Sequence, residues 1–465
     1  MKGVSMRELL ESSALSLAAA YRDGSVSPVD VVDATLARIE ESNREINALW
    51  SIRAEAARVA AAESAARFAA GTPAGPLDGI PITLKDSIHV TGWPYLHGTA
   101  ANEGRPASSF DAPPAARSLE AGAILLAKTT MPDFGLLAAG VSSAFGVVRN
   151  PWDLATNTGG SSAGAGAALA AGFCHLSVGS DIAGSVRLPA AHCGVVALKP
   201  TQGRIPHLAP STTRSAGPMA RSVADVAFYL GILARPDPRD SGALAPDGIA
   251  YHEKLEADLA GKRVGLLLSM GYGAPVEPVV REAVLAAANA LADAGAIVEP
   301  LNPPFAYDAY AAIDQTLQVR GLAEYRSFTA DQQAKVLPQV AAWSLKAEAI
   351  DGARYHELLG LIENAKLELH AAIGGYDLLL TPTMPCVGFP AEQVGLDEET
   401  PLAHATFTAW FNQTGQPALS LPFGHDGRNH PIGVQLVGRR FDDLGVLQAA
   451  AYLEKVRGSG PRWPF

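Results

Sequence analysis

Two serines, Ser161 and Ser185, lie 24 positions apart, each inside a loop of small residues. The first loop reads Thr158-Gly159-Gly160-Ser161-Ser162-Ala163-Gly164 and the second Ser180-Asp181-Ile182-Ala183-Gly184-Ser185-Val186-Arg187. Upstream, Lys85 ends the apolar run Ile80-Pro81-Ile82-Thr83-Leu84. Loops of Gly, Ala and Ser let a substrate carbonyl approach backbone N–H groups and a serine hydroxyl closely. Acyl transfer needs both, so the three residues together point to a hydrolase. A lysine at a strand end is ordinarily a solvated cation. Burial would carry its pKa far below the usual ~10.4 and make it a usable base near neutral pH. In the second loop, a tight turn would converge the N–H groups of Ile182, Ala183, Gly184 and Ser185 on one point, forming an oxyanion hole. Asp181 and Arg187 flank that turn and read as a structural ion pair.

Rival chemistries fit less well. The stretch Gly160-Ser161-Ser162-Ala163-Gly164 matches the G-x-S-x-G nucleophile elbow with Ser162 as nucleophile. An elbow follows an apolar strand directly, whereas 150–158 is polar and turn-rich. Lys128-Thr129 resembles the end of a phosphate-binding loop, but Ala127 stands where the second glycine is required, so a strand end is the better reading. The glycine-rich segment 159–166 could hold an anion at a helix N-terminus, but no lysine follows it. The eleven histidines show no metal-ligand spacing, and His192-Cys193 reads as a buried structural pair.

The elements that must position these residues alternate between helix and strand. Helical periodicity marks 6–21, 28–42 and 53–70, with Ser27 as N-cap and Pro28 as the first helical residue of the second. Short apolar strands bounded by Gly and Pro follow at 79–84, 123–127 and 174–179. Further strands are expected at 263–268, 296–301, 377–381, 418–422 and 433–437, with a helix over 277–294 and a mainly helical stretch over 308–372. The pattern implies a layered α/β fold around a large sheet. Residues 236–248, rich in Pro, Asp and Gly, read as a connection.

A chain of 465 residues could hold two or three domains, but α/β enzymes often run long as one unit, so a single domain over 1–465 is expected. Hydrophobic residues at 48% and charged ones at 18% suit a soluble globular enzyme. A net charge of −11 without Lys/Arg clusters argues against nucleic-acid binding. The N-terminus has no targeting pattern, because 9–20 is interrupted by Glu11, Ser12, Ser13 and Ser16. No stretch approaches the roughly 18 apolar residues of a membrane span. Cys174, Cys193 and Cys386 lie in apolar surroundings and suit free thiols in a reducing compartment, the cytoplasm.

Three linked segments carry a resemblance: Gly79-Ile80-Pro81-Ile82-Thr83-Leu84-Lys85-Asp86, the 159–164 loop, and 180–189 continuing through Cys193-Gly194 to Leu198-Lys199-Pro200-Thr201. In order and spacing they resemble the amidase signature family. The match is dense over about 79–206, thinner in Met131-Pro132-Asp133-Phe134, Arg149-Asn150-Pro151-Trp152, 381–385 and 415–438, and sparse over 236–372, a variable, mainly helical substrate-side region. The resemblance implies an α/β/α fold with a large central mixed sheet and a Ser-cisSer-Lys triad. Ser185 would be the nucleophile, Ser161 the bridging proton carrier and Lys85 the base, with a cis peptide between Gly160 and Ser161. It also implies backbone N–H groups at 182–185 as the oxyanion hole, Met131 and Gly160 as substrate contacts, and no cofactor or metal.

The implied reaction is hydrolysis of a carboxamide to a carboxylate plus ammonia or an amine. An alternative is the glutaminase subunit of an aminoacyl-tRNA amidotransferase, and a third is a binding protein that kept the fold and lost the chemistry. The expected partner is a small-molecule amide, with no nucleic acid and no membrane, and the chain could act alone or as a homo-oligomer. Two residues depart from the family pattern: Ala183 where a glycine pair is usual, and Ala163 where glycine is common. If position 183 needs a positive φ, alanine there is strained by roughly 1–2 kcal/mol. Pocket walls are expected from 131–141, 308–326 and 382–410, and the scarcity of charge near 131–139 favours an apolar or aromatic acyl group.

Overall fold

In the computed structural model, which describes residues 4–458 and 462–465, eleven strands form one mixed sheet. They are β1 (Leu49–Trp50), β2 (Pro81–Lys85), β3 (Ile124–Thr129), β4 (Leu176–Asp181), β5 (Val196–Lys199) and β6 (Ser215–Ala220), followed by β7 (Arg263–Leu266), β8 (Ile297–Pro300), β9 (Leu378–Pro382), β10 (Ala418–His425) and β11 (Pro431–Gly438). Across the sheet the order is β1-β3-β2-β4-β6-β5-β10-β11-β9-β7-β8. The trio β3, β2, β4 is parallel, as is the trio β9, β7, β8, and the remaining neighbours are antiparallel.

Strand alternation sorts side chains to the two faces of this sheet. Ile82, Leu84, Leu176, Val178, Leu198, Leu419 and Leu436 enter one core, covered by the helices Ala14–Asp23, Val223–Leu233, Pro278–Asp293 and Asp443–Val456. Thr83 and Lys85 alternate with Ile82 and Leu84, and so belong to the other face. There the helices Ala163–Ala170 and Arg187–Cys193, and those between 310 and 373, close a second apolar layer. The layered α/β architecture is the one expected from the sequence. Ser27 caps the Pro28–Ile46 helix through the Val29 N–H, 3.2 Å, with Pro28 as first helical residue.

Several elements differ from expectation for identifiable reasons. The helix expected over 6–21 is two, Met6–Glu11 and Ala14–Asp23, because Ser13 is extended (ψ 154°) and its Oγ accepts the Ser16 N–H at 3.0 Å. That is N-cap chemistry in the middle of an apolar run. Strands β5 and β6 lie outside the expected set. The β6 segment SAGPMA contains no β-branched residue and is interrupted by Pro218, and its pairing with β5 is limited to Met219 and Ala220. Residues 153–157 form a short strand in a two-stranded hairpin with 149–150, outside the main sheet. No helix among the described residues is long and apolar enough to cross a membrane.

Candidate active site

Strands β2 and β4 end side by side, with Thr83 opposite Ser177 and Leu84 opposite Val178. The carboxyl ends of such parallel strands are where α/β sheets expose loops for chemistry. Lys85, the last residue of β2, is fully buried. Its Nζ lies 2.8 Å from Ser161 Oγ, 3.1 Å from Ser180 Oγ and 3.3 Å from the Ser180 carbonyl oxygen. Burial drives its pKa well below the ordinary lysine range. Asp181 opposes the shift, while the positive charges of Arg214 and Arg320 add to it. The solvated cation usual at a strand end is therefore not what this position holds.

The first serine loop is shaped by close backbone packing. Gly160–Ser161 is a cis peptide, and a β-carbon on Gly160 would lie 2.6 Å from both N and O of Ala139. Asn157 Oδ1 accepts the N–H groups of Gly140 (3.1 Å) and Gly159 (2.8 Å), tying the loop to its neighbour. The Ser162 N–H donates to the Ser185 carbonyl at 3.0 Å, which joins the two serine loops. Ser162 Oγ donates to the Ser180 carbonyl at 3.3 Å and is buried, so the serine of the elbow motif points into the protein. Met131 borders the site: a β-carbon on Gly135 would sit 3.2 Å from Met131 Cε and 3.3 Å from Ser161 Oγ. Among the described residues no hydrogen bond joins the hydroxyls of Ser161 and Ser185, so direct contact is made by Lys85 and Ser161 alone.

In the second loop the N–H groups of Ile182, Ala183 and Ser185 have no protein acceptor among the described residues, whereas Gly184 N–H donates to Asp181 Oδ1 at 2.7 Å. Gly184 is thereby corrected as an oxyanion-hole donor, because a carboxylate already occupies its proton. The positive φ of the turn falls on Gly184 (125°) and not on Ala183. A β-carbon on Gly184 would come 2.2 Å from Thr408 Oγ1, so glycine is needed there by both space and conformation. Thr408 Oγ1 in turn donates to the Ala183 carbonyl at 2.6 Å. The strain expected at Ala183 does not arise.

Asp181 and Arg187 are fully buried and bonded twice, Nε to Oδ2 at 3.0 Å and Nη2 to Oδ1 at 2.9 Å. The remaining Arg187 donors go to Gln435 Oε1 (2.7 Å), Asn412 Oδ1 (2.6 Å) and the Thr408 carbonyl (3.0 Å). Burial alone would raise the Asp181 pKa, but the Arg187 charge and hydrogen bonds from Arg187 and Asn412 outweigh it and hold the carboxyl below its usual range. Replacing Arg187 by Met leaves that carboxylate unpaired, and the expected cost is about 3–5 kcal/mol of stability. Urea unfolding would measure it, and adding Asp181→Asn to Arg187→Met should recover part of the loss.

Other expectations place as follows. Lys128 lies buried on β3 with Nζ donating to the Ile88 carbonyl, its pKa pushed down by burial to about 8, so it is a strand residue and not part of a phosphate loop. His192 and Cys193 are buried, and their carbonyls accept from Asn150 Nδ2 and Trp152 Nε1, both at 2.8 Å. Cys174, Cys193 and Cys386 are free and buried. Sequence reasoning misses Ser180, Asn157, Thr408, Asn412, Gln435, Arg214 and Arg320, which bond to or act on the residues of the candidate site. Ser180 opens the second motif and Gln435 lies in a family-like stretch, but nothing local distinguishes them from ordinary polar residues.

A sequence model described as Amidase matches residues 30–447. The glutamyl-tRNA(Gln) amidotransferase A subunit of Synechococcus sp. (strain CC9605) is 33% identical over 93% of this chain and 94% of that protein. Among solved structures, 6-aminohexanoate cyclic dimer hydrolase superposes with a TM-score of 0.89 at 28% identity, covering 99% of each chain. A bacterial aryl acylamidase of the amidase signature enzymes does so with a TM-score of 0.89 at 27% identity, covering 96% of each. The chain therefore belongs to the amidase signature family, enzymes that cleave amide C–N bonds.

Proposed function

We propose that the protein hydrolyses linear carboxamides through an acyl-enzyme on Ser185, with Ser161 as proton carrier and Lys85 as general base. The observation that carries this reading is the buried Lys85 amine 2.8 Å from Ser161 Oγ, beside a turn with three unengaged N–H groups. A neutral Lys85 accepts the Ser161 proton while Ser161 takes that of Ser185. Contacts of this kind tighten once substrate is bound, which closes the link between the two serines. Ser185 Oγ then forms a bond to the amide carbon, and the developing oxyanion is held by the N–H groups of Ile182, Ala183 and Ser185. The proton returns through Ser161 to the leaving nitrogen as the C–N bond breaks. Water repeats the sequence on the ester, releasing a carboxylate and restoring Ser185. Met131 and Gly160 border the substrate in this arrangement. No cofactor or metal takes part in these steps.

The same reading treats residues 1–465 as one amidase unit in the cytoplasm, of which 1–3 and 459–461 lie outside the described residues. Its test is covalent labelling: a fluorophosphonate should modify Ser185, and tryptic mapping that finds the label on another serine would overturn the assignment.

A second reading is supported by the curated relatives, which are amidotransferase A subunits similar over nearly their whole length. On that reading the ammonia released would pass to a partner protein. Affinity purification from the native cell distinguishes the two, since a stable hetero-complex with glutamine-specific activity would favour the amidotransferase.

A further inference from the structure

Acyl transfer by the three residues above makes no use of two arginines, Arg214 and Arg320, whose charges act on Lys85. Arg320 lies on the helix Tyr310–Arg326, and its Nη2 donates to the Phe134 carbonyl at 3.1 Å. The next residue, Gly135, is the one whose β-carbon position lies 3.3 Å from Ser161 Oγ. Arg320 is thus anchored one residue from the edge of the candidate site. Arg214 arrives from another element. It directly precedes β6, where Ser215 pairs with Asp181, so the antiparallel run brings Arg214 alongside Ile182, the first of the unengaged N–H groups. Its Nη2 donates to the Ala209 carbonyl at 2.6 Å, while its Nε is buried without a partner.

The nearby acids are already engaged. Asp181 is paired with Arg187, and Glu324, one turn beyond Arg320, is bonded to His97 Nδ1 at 2.7 Å. Among the described residues neither Arg214 nor Arg320 forms an ion pair. Close to Arg214, both ring nitrogens of His207 are buried without partners. Both guanidinium-bearing residues are half-buried, so they are enclosed by protein yet keep accessible surface. Burial and the like charge of Arg320 lower the Arg214 pKa while Glu324 and Asp240 oppose the shift, and a further anion would favour the cationic form of both arginines. A planar guanidinium is also the side chain best shaped to take a carboxylate through two parallel hydrogen bonds.

We propose that Arg214 and Arg320 form an anion-recognising wall, and that the preferred substrates are amides carrying a carboxylate. This rests on the hydrolase reading above, and it replaces the apolar or aromatic acyl preference expected from 131–139. The charge that recognises the carboxylate has a second effect, since it also disfavours the ammonium form of Lys85.

Two matched pairs test the proposal: glutaramate against glutaramide, and acetate release from N-acetylglycinate against N-acetylglycinamide. The purified full chain should show kcat/KM at least about tenfold higher for the anionic member of one pair, the scale of a charged hydrogen bond. Arg320→Gln and Arg214→Gln should each lower that preference, mainly through KM. Failure to prefer the anionic member in either pair, or a preference that neither substitution alters, would overturn the proposal. Hydrolysis of the neutral amides that still requires Ser185 would leave the hydrolase reading standing in that event, whereas hydrolysis independent of Ser185 would remove both. Circular dichroism of each variant separates a binding defect from unfolding.

Discussion

Ser185→Ala should lower kcat for amide hydrolysis by roughly 10^5- to 10^6-fold, the scale seen when a triad nucleophile is removed. The loss should fall on kcat and spare KM, because in the proposed mechanism the hydroxyl acts only on the carbonyl carbon, and the substitution leaves Ile182, Ala183 and Met131 in place. Stability should hardly change. Ser185 Oγ has no protein hydrogen-bond partner among the described residues, so its removal orphans no buried donor or acceptor. Steady-state kinetics with a simple amide, set beside a thermal melt, checks both statements. A variant retaining more than about a hundredth of wild-type kcat would place the nucleophile elsewhere, since that residual rate is too high for an enzyme without its attacking group.

Lys85→Met should cost about 10^3- to 10^4-fold in kcat/KM, the upper range for a general base that also activates the nucleophile. Methionine nearly matches the length of the side chain and fills its space, so lost activity reports lost basicity. The sign of the pH dependence follows from the direction of the shift. Burial lowers the Lys85 pKa far below the ordinary lysine value, and in the proposed relay the neutral amine is the working form. The wild-type kcat/KM should therefore rise with pH along an acid limb as Lys85 sheds its proton, and level off once it is neutral. In Lys85→Met that limb should vanish. A wild-type rate that is flat from acid to neutral pH would remove Lys85 from the role of base.

These two expectations differ in how much of them the sequence carries. The turn that carries Ser185 is legible because it is a local matter: small residues in a fixed order, bracketed by Asp181 and Arg187. The basicity of Lys85 is not legible. The run Ile80 to Leu84 marks a strand, but whether its last residue meets water depends on the layer laid over it. The same division explains Gly184. Sequence places four N–H groups in one turn, and the hydrogen bond that withdraws Gly184 from them requires knowing which way the Asp181 carboxylate points. The left-handed φ belongs to Gly184 and not Ala183, and only the closeness of Thr408 shows why a side chain is excluded there.

Among the strands, those with apolar runs or apolar alternation can be read directly, including β2, β3, β4, β9 and β11. The Ser-Ala-Gly-Pro-Met-Ala run of β6 cannot, because its conformation comes from the registry with β4 and not from any preference of its own residues. The helix break at Ser12-Ser13 is visible as residue types, yet the choice between a continuous helix and a capped second one turns on a single side-chain hydrogen bond.

The types, order and spacing of Lys85, Ser161 and Ser185, the small-residue loops around the serines and the α/β alternation are properties of short segments; the alternation is enough for the fold class, and the family the segments resemble supplies the reaction class. Burial, charge balance and the open or occupied state of a donor are properties of surroundings. Arg187 is held by Gln435, 248 positions away, and by Asn412, 225 positions away, and Arg320 reaches the site edge through the Phe134 carbonyl, 186 positions away. Such contacts leave no trace in local composition, because hydrogen bonding and desolvation act over a few ångströms of space whatever the separation along the chain.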